Sequence, residues 1–316
     1  MITIAADLGG TRIKLGIVMD GKVVQQALLP AMSNEGLSRR LPDIASEVDR
    51  LLASQGLETR ACDALGLSFP GLVDSAANRV RATYGKWDDA REIDLSAWTQ
   101  ARFSLPLVME NDTRLALLGE WSAGAGSGCD NLVLVTLGTG LGTAAVVEGR
   151  LVTGVHGQAG VLGGHFSTNR KGARCTCGNV GCAEAEASTS VLARIAAQHP
   201  EFATSALQTC SPIDYTAVFE LARQGDPCAL ALRAHGIEVW AQMIVNLIHA
   251  YDPERVILGG GIMAGATDFL DDLTAIILSR AHTPWGQIGI VAGSLGSSAA
   301  LMGLDALARQ RLPEPA

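Results

Sequence analysis

The chain has 316 residues, of which 48% are hydrophobic, 18% are charged and 36 are glycine. This length exceeds the size at which a single hydrophobic core usually stops growing, so we expect two lobes. The composition excludes a disordered or fibrous protein. The net charge of −8 and the scattered basic residues argue against nucleic-acid binding. Because no apolar run is long enough to span a bilayer and no basic leader follows Met1, we expect a soluble, cytoplasmic protein.

The first predicted elements are three antiparallel strands over residues 2–29, with a glycine turn between the first two and Asp20-Gly21 as the second hairpin turn. Apolar residues at helical spacing predict a helix over 35–54. A buried strand over 64–73 follows, then a strand over 105–111 that leads into a helix over 113–123.

The same order of elements restarts at residue 131, where 131–152 reads as strand, glycine turn, strand, tight turn and strand. A loop-rich segment over 154–187 precedes the elements that complete this half. They are helices near 188–198, 214–224 and 227–250, a strand over 255–258, a helix after the GGGIMAG stretch at 259–265, a short strand near 288 and a final helix over 297–309.

This repetition predicts an α/β protein of two duplicated lobes that face each other across a central cleft, where ligands tend to bind. The predicted N-terminal lobe is 1–112 together with the C-terminal helix, about 297–316. The predicted C-terminal lobe is 113–296 and contains the cysteine-rich segment 165–182.

Three glycine clusters are candidates for nucleotide binding, because backbone N–H groups without nearby side chains can approach an anion closely. Two of them, Asp7–Thr11 and Leu137–Gly142, occupy matching hairpin turns, although glycine and threonine are also ordinary turn residues. The third, Gly259–Gly261, follows a buried strand. None of them matches the Rossmann fingerprint, and no Walker A loop occurs in the sequence.

Asp112 is the best candidate for a general base, because it follows a predicted strand and begins a helix. A hydroxyl that attacks the γ-phosphate of ATP needs one carboxylate to accept its proton. The alternative is that Asp112 only caps the helix. Asp7, beside the first glycine turn, could hold Mg²⁺ through water or simply form the turn.

Four residues of types that bind metals lie close together in the sequence: His165, Cys175, Cys177 and Cys182. One imidazole and three thiolates complete the tetrahedral shell of a structural zinc site, and Gly178 and Gly181 suit tight turns between the ligands. The clustering favours a metal site over disulfides in a cytoplasmic protein.

Across nearly the whole chain, these motifs resemble the ROK sugar kinases, whose two-lobed fold belongs to the actin, Hsp70 and hexokinase (ribonuclease H-like) superfamily. The resemblance rests on DLGGTRIKLGIV, Pro70-Gly71, ENDTRLALLGE, LGTGLG, the cysteine segment and VILGGG. It implies that Asp112 is the base, that Asn111, His165 and Glu184 contact the sugar, and that His165 also binds zinc with the three cysteines. It implies a nucleotide site formed by Gly9, Gly10, Thr11 and Lys14 near the terminal phosphates, Gly138, Thr139 and Gly140 at phosphate, and Gly260 and Gly261 at the adenosine. Glu186 is interpreted as a solvated residue.

The sequence departs from the family at two sugar-binding positions. Family members carry Glu-x-Gly-His before the cysteines, whereas this chain has Leu162, or Val161 if a glycine was inserted. His156 or Gln158 could replace the missing carboxylate, or be ordinary loop residues. A family asparagine is also absent, and Thr83, Tyr84 or Lys86 stands near its place.

The predicted function is therefore ATP-dependent phosphorylation of a hexose or hexose derivative, with ATP, Mg²⁺ and structural Zn²⁺ as cofactors and a homodimer as the assembly. A non-catalytic sugar-binding protein or a transcriptional regulator is the alternative, although the first strand at Ile2 leaves no preceding DNA-binding domain in this sequence. The residues do not identify the sugar, the hydroxyl that is phosphorylated, or whether polyphosphate could replace ATP.

Overall fold

Strands and helices follow one another along the chain largely as predicted, and the computed structural model describes residues 1–312. The strands are β1 (Ile2–Leu8), β2 (Arg12–Met19), β3 (Lys22–Pro30), β4 (Ala64–Phe69), β5 (Leu72–Asp74), β6 (Arg79–Ala82), β7 (Leu107–Asn111), β8 (Leu132–Leu137), β9 (Leu141–Val147), β10 (Arg150–Leu151), β11 (Arg255–Gly259) and β12 (Gly289–Ala292). The α-helices are α1 (Leu41–Ser54), α2 (Leu95–Phe103), α3 (Asp112–Ala123), α4 (Ala183–Ala187), α5 (Thr189–Ala197), α6 (Tyr215–Arg223), α7 (Pro227–Tyr251), α8 (Leu270–Arg280) and α9 (Ala299–Arg311).

The chain divides into two units, each built on a five-stranded mixed sheet. Unit 1 consists of residues 1–128, 153–159 and the described residues from 294 onward, and its sheet has the order β3-β2-β1-β4-β7. Unit 2 consists of residues 129–152 and 160–293, and its sheet has the order β10-β9-β8-β11-β12. In each sheet the first two pairings are antiparallel and the last two are parallel. The predicted duplication and the two-lobed α/β fold are therefore confirmed.

Several boundaries differ from the predictions. The first helix begins at Leu41 instead of residue 35, because Gly36 has a φ of +95° and Pro42 suits only the first turn of a helix. The small sheet of β5 and β6 and the helix α2 were not predicted. The predicted division after residue 112 also differs from the observed units, since α3 packs on α9 within unit 1.

Two glycines allow α3 and α9 to cross at very short distance. A Cβ atom on Gly119 would lie 2.1 Å from the Ala299 carbonyl oxygen, and one on Gly303 would lie 1.9 Å from that of Leu115. Larger residues could not occupy either position without moving the helices apart. Because α9 also packs on β1 and β4, this crossing fixes α3 relative to the sheet.

A buried ion pair joins α3 to the end of β7. The Arg114 guanidinium lies 3.1 Å from the Glu110 carboxylate, and each side chain is only 1% exposed. Arg114 also donates to the carbonyl oxygens of Gly157 at 2.9 Å and Ala159 at 2.7 Å. It thereby ties the segment 153–159 to α3.

No helix in the part of the chain that the structure describes has the length and apolar character needed to cross a lipid bilayer.

Replacing Arg114 with Met should destabilise the protein strongly, because it removes the guanidinium that pairs with the buried Glu110 carboxylate. Removing one member of a buried ion pair typically costs roughly 3–5 kcal/mol. Urea denaturation of Arg114→Met measures the loss. The control is Arg60→Met, which breaks the exposed Arg60–Glu58 pair (side chains 83% and 69% exposed) and should change stability by less than about 1 kcal/mol. Equal effects in the two variants would contradict the role assigned to Arg114.

Candidate active site and metal site

The carboxyl ends of three parallel strands meet at one edge of the unit 1 sheet. Strand pairing places Asp7 of β1 opposite Ser68 of β4, and Phe69 opposite Asn111 of β7. Ser68 is fully buried and donates a 2.6 Å hydrogen bond from its hydroxyl to Asp7 Oδ1. This edge therefore gathers Asp7, Ser68, Asn111 and Asp112, as parallel sheets commonly gather ligand-binding groups.

Asp112 is the first residue of α3, but Asn111 caps the helix. The Asn111 side-chain oxygen accepts from the backbone N–H groups of Thr113 and Arg114 at 3.1 and 3.2 Å. Among the described residues, the hydrogen bonds to the Asp112 carboxylate all go to Oδ1, from Thr113 and from the Asn111 amide. Oδ2 is thus available to accept a proton from a substrate. The Asn111 amide also donates to the Gly71 carbonyl oxygen at 3.1 Å. Most of the hydrogen bonds of this predicted sugar-binding side chain are therefore made within the protein.

The environment of Asp112 favours its protonated form. Burial and the neighbouring Asp7 carboxylate raise the pKa of Asp112 to about 6, while the Thr113 amide and the Lys86 ammonium group oppose this rise. A carboxylate with a raised pKa that is still ionised near neutral pH suits general-base catalysis.

The first glycine turn lies directly beside these carboxylates. The Gly9 N–H donates to the carbonyl oxygens of Asp7 at 3.2 Å and Arg12 at 3.0 Å, which closes the turn. Gly9 has no room for a side chain, because a Cβ would lie 2.6 Å from the Arg12 carbonyl oxygen. Thr11 is exposed. The Lys14 ammonium lies 3.7 Å from Asp7 Oδ2 and donates to the Ser297 carbonyl oxygen.

In unit 2, the second glycine turn lies against the third glycine cluster. A Cβ on Gly138 would be 3.9 Å from the Gly261 nitrogen, although the two residues are far apart in sequence. Glu184, in the short helix α4, accepts a 3.0 Å hydrogen bond from the Leu141 N–H, and a Cβ on Gly140 would lie 2.6 Å from its carboxylate. The carbonyl oxygens of Gly138 and Thr139 accept from the first residues of α5. Gly138, Thr139, Gly140, Glu184, Gly260 and Gly261 therefore form one neighbourhood.

The four predicted metal ligands also come together in unit 2. The ligand atoms of His165, Cys175, Cys177 and Cys182 all lie within 4.8 Å of one another. Cys175 Sγ is 3.5 Å from His165 Nδ1, and Cys177 Sγ is 3.6 Å from Cys182 Sγ. A tetrahedral shell with metal–sulfur bonds of about 2.3 Å has sulfur–sulfur edges of about 3.8 Å. This cluster can therefore hold a metal ion.

Comparison with known proteins identifies the family. A sequence model of the ROK family matches residues 3–311. The chain belongs to the ROK family. It is 30% identical to a glucokinase of Thermotoga maritima over 98% of both chains. It is 28% identical to a xylose repressor of Bacillus subtilis over 77% of this chain and 60% of the repressor. A ROK family glucokinase of Streptomyces griseus, in complex with glucose and AMPPNP, shares 29% identity and a TM-score of 0.76 over 98% of this chain and 100% of that one.

Glu186 of this ROK protein is not a solvated residue, so that interpretation is wrong. Its side chain is buried at 8% exposure. Its carboxylate accepts from the Ala173 N–H at 2.6 Å and the Asn169 side-chain amide at 3.2 Å. Both donors lie in the segment that carries the cysteines, so Glu186 braces the metal-binding loop. In the sequence, Glu186 is distinguished only by lying two residues after Glu184. That spacing does not reveal how the cysteine-carrying segment folds around it.

The position of the family's missing glutamate lies beside two closely packed glycines. Gly163 and Gly164 lie against β9, where a Cβ on Gly164 would be only 2.0 Å from the Leu141 carbonyl oxygen. Leu162 is partly buried beside them. His156 and Gln158, the predicted replacements, are both exposed in the segment 153–159. The identity of the residue that substitutes for the glutamate stays a prediction.

Two adjacent glycines of the third cluster should respond differently to alanine. Gly260 has a φ of +91°, and a Cβ there would lie 2.3 Å from the Leu137 carbonyl oxygen, whereas a Cβ on Gly261 meets no atom within 4 Å. Gly260→Ala should therefore lower the thermal unfolding temperature by several degrees. Gly261→Ala is the matched control and should unfold like the wild type. Equal unfolding temperatures for the two variants would contradict this assignment.

Proposed function

We propose that this ROK protein is an ATP-dependent sugar kinase in which Asp112 is the general base. The observation that carries the proposal is the Asp112 carboxylate, with Oδ2 available, a raised pKa of about 6 and a glycine turn beside it. In the reaction, Asp112 Oδ2 takes the proton from a sugar hydroxyl as that oxygen bonds to the γ-phosphorus. The bond from this phosphorus to the bridging oxygen breaks, and ADP leaves.

The nucleotide would be held mainly by backbone. In unit 1, the turn of Gly9, Gly10 and Thr11, with Lys14 behind it, would bind the terminal phosphates. In unit 2, Gly138, Thr139 and Gly140 would bind phosphate, and the open space beside Gly261 would accept the adenosine next to Gly260. Mg²⁺ would enter with ATP, and Asp7, oriented by Ser68, would contact it through water.

We assign the metal cluster of His165 and three cysteines to structural zinc. The donor set of three thiolates and one imidazole is that of closed tetrahedral zinc sites, and the distances between the ligand atoms fit such a shell. Coordination by His165 Nδ1 would leave Nε2 to meet a sugar hydroxyl. Zinc would thus fix the orientation of the His165 imidazole, and Glu184 follows the last zinc ligand by two residues.

The sugar would be recognised by Asn111, His165 and Glu184, and we propose a hexose or hexose derivative. A carboxylate such as Glu184 discriminates strongly against analogues that lack the hydroxyls it accepts from. The competing function is a sugar-binding protein without catalysis, which the similarity to a xylose repressor and the lost glutamate favour. The homodimer and the cytoplasmic location stay predictions.

The decisive experiment is an assay of ADP release with Mg-ATP and a panel of hexoses, amino sugars, N-acetyl sugars and ketoses. The wild type should turn over at least one sugar. Asp112→Asn should lower kcat by about 100-fold or more, because an amide cannot accept the proton. The matched control, Asp20→Asn, changes an exposed hairpin aspartate and should keep the wild-type rate. If the wild type releases no ADP with any sugar while its fold and metal are intact, the non-catalytic alternative is favoured.

Elemental analysis should find about one zinc per chain. Cys177 is exposed, so Cys177→Ser removes a ligand without altering a core. This variant should lose zinc and unfold at a lower temperature, because a ligand shell that binds only the folded state stabilises it. Cys210→Ser, which changes a cysteine outside the cluster, should keep both properties. Full zinc content in Cys177→Ser would contradict the assigned ligand set.

A further inference from the structure

Lys86 lies at the first glycine turn, in the short stretch where this chain departs from the ROK pattern. A Cβ on Gly10 would be 2.6 Å from Lys86 Cε and 2.8 Å from Lys86 Nζ. The end of the lysine side chain therefore rests against the backbone of a residue that the proposed function places at the terminal phosphates. The side chain is partly buried.

The backbone around Lys86 is held firmly to this turn. Trp87 is fully buried and donates from its backbone N–H to the Ser33 carbonyl oxygen at 2.9 Å. The Ser33 hydroxyl in turn donates to the Gly10 carbonyl oxygen at 2.9 Å. Gly85 and Trp87 both have positive φ, of 74° and 58°. A tryptophan in this conformation is strained, and such strain persists only where the surroundings impose it.

The two lysines at this turn differ in their partners. Lys14 is engaged by Asp7 and by the Ser297 carbonyl oxygen. Among the described residues, no hydrogen bond or ion pair to the Lys86 ammonium group is found, although that group is near enough to Asp112 to act on its charge. A cation held without a protein partner beside a phosphate turn is placed to meet an anionic oxygen of a ligand.

We propose that Lys86 is a catalytic residue whose ammonium group donates hydrogen bonds to oxygens of the phosphoryl group during its transfer. The proposal rests on the proposed kinase function. Lys86 transfers no proton: the γ-phosphoryl group moves from ATP to the sugar oxygen, ADP leaves, and the sugar proton goes to Asp112. The ammonium group offsets the negative charge that the phosphoryl oxygens bring next to Asp7 and Asp112.

The kinetic test compares Lys86→Met, Lys86→Arg and the control Lys22→Met, which removes an exposed lysine of the same unit. Methionine keeps an unbranched chain against Gly10 but removes the charge. We expect kcat to fall about 10- to 100-fold in Lys86→Met, in line with the loss of one or two hydrogen bonds to a charged group. Lys86→Arg should recover part of this loss, and Lys22→Met should match the wild type. Wild-type kcat in Lys86→Met would overturn the proposal.

The pH dependence separates this role from a merely structural one. Asp112 must be ionised to act, so kcat/KM should fall as the pH drops below about 6 in the wild type. The charged groups around Asp112 are Asp7, whose carboxylate Lys14 faces, and Lys86. Because the Lys86 charge lowers the pKa of Asp112, Lys86→Met should shift this decline to higher pH and Lys86→Arg should not. An unshifted profile would contradict the assignment.

Binding measurements distinguish failure of this proposal from failure of the kinase function. Calorimetry with AMPPNP and with ADP, both with Mg²⁺, needs no sugar. Lys86→Met should weaken AMPPNP at least 10-fold and leave ADP within about twofold, because Lys86 meets only the transferred group. If the wild type phosphorylates no sugar but Lys86→Met still weakens AMPPNP more than ADP, the kinase function is rejected while the contact between Lys86 and the terminal phosphate is retained. Equal effects on both nucleotides, or a loss of kcat/KM confined to acidic sugars, would overturn the proposal.

Discussion

The candidate active site in unit 1 depends on the hydrogen-bonded pairing of three parallel strands. Because β1, β4 and β7 run in the same direction and in fixed register, their carboxyl ends lie at one edge of the sheet. Asp7, Ser68 and Asn111, which precedes Asp112, belong to three distant parts of the chain, and this pairing brings them to the same edge. The glycine crossing of α3 and α9 then fixes the direction in which α3 leaves the edge, and with it the position of Asp112.

Placing two carboxylates at one edge creates an electrostatic problem that the surrounding residues partly relieve. Asp7 accepts a hydrogen bond from the Ser68 hydroxyl and lies 3.7 Å from the Lys14 ammonium group. For Asp112, burial and the neighbouring Asp7 carboxylate outweigh the Lys86 charge and raise its pKa to about 6. These unequal environments are consistent with the proposed roles, in which Asp112 accepts a proton and Asp7 contacts Mg²⁺ through water. Lys86 adds a second positive charge where a phosphoryl group would add negative charge.

Unit 2 uses a different means of positioning its polar groups. Its second and third glycine clusters adjoin because β8 and β11 are paired, whereas His165 ends a single 3-10 turn and Glu184 lies in the five-residue helix α4, outside the sheet. The metal cluster and the buried Glu186 order this part of the chain instead. Glu186 accepts from the backbone of the cysteine segment, so a carboxylate outside the ligand set shapes the loop on which the ligands sit.

Much of this molecule follows from local sequence. The alternating apolar residues, the two glycine turns and the repeat predicted both sheets and the order of most helices, because strand and helix periodicity is a local property. The spacing of His165 and the three cysteines predicted the metal cluster for the same reason, since the four ligands lie within one short segment. The family resemblance added Asp112 as the base, which the residues alone left open as a helix cap.

Other features were decided only by tertiary structure. The role of Asn111 as the cap of α3 depends on the angle at which the strand meets the helix, and the burial of Glu186 depends on the path of a loop. The small sheet of β5 and β6 carries no distinct periodic signal in so few residues. Above all, the contact of Lys86 with Gly10 joins residues that are remote in the chain. Sequence specifies which chemical groups are present, but distances between remote groups arise only when the strands pair and the helices pack.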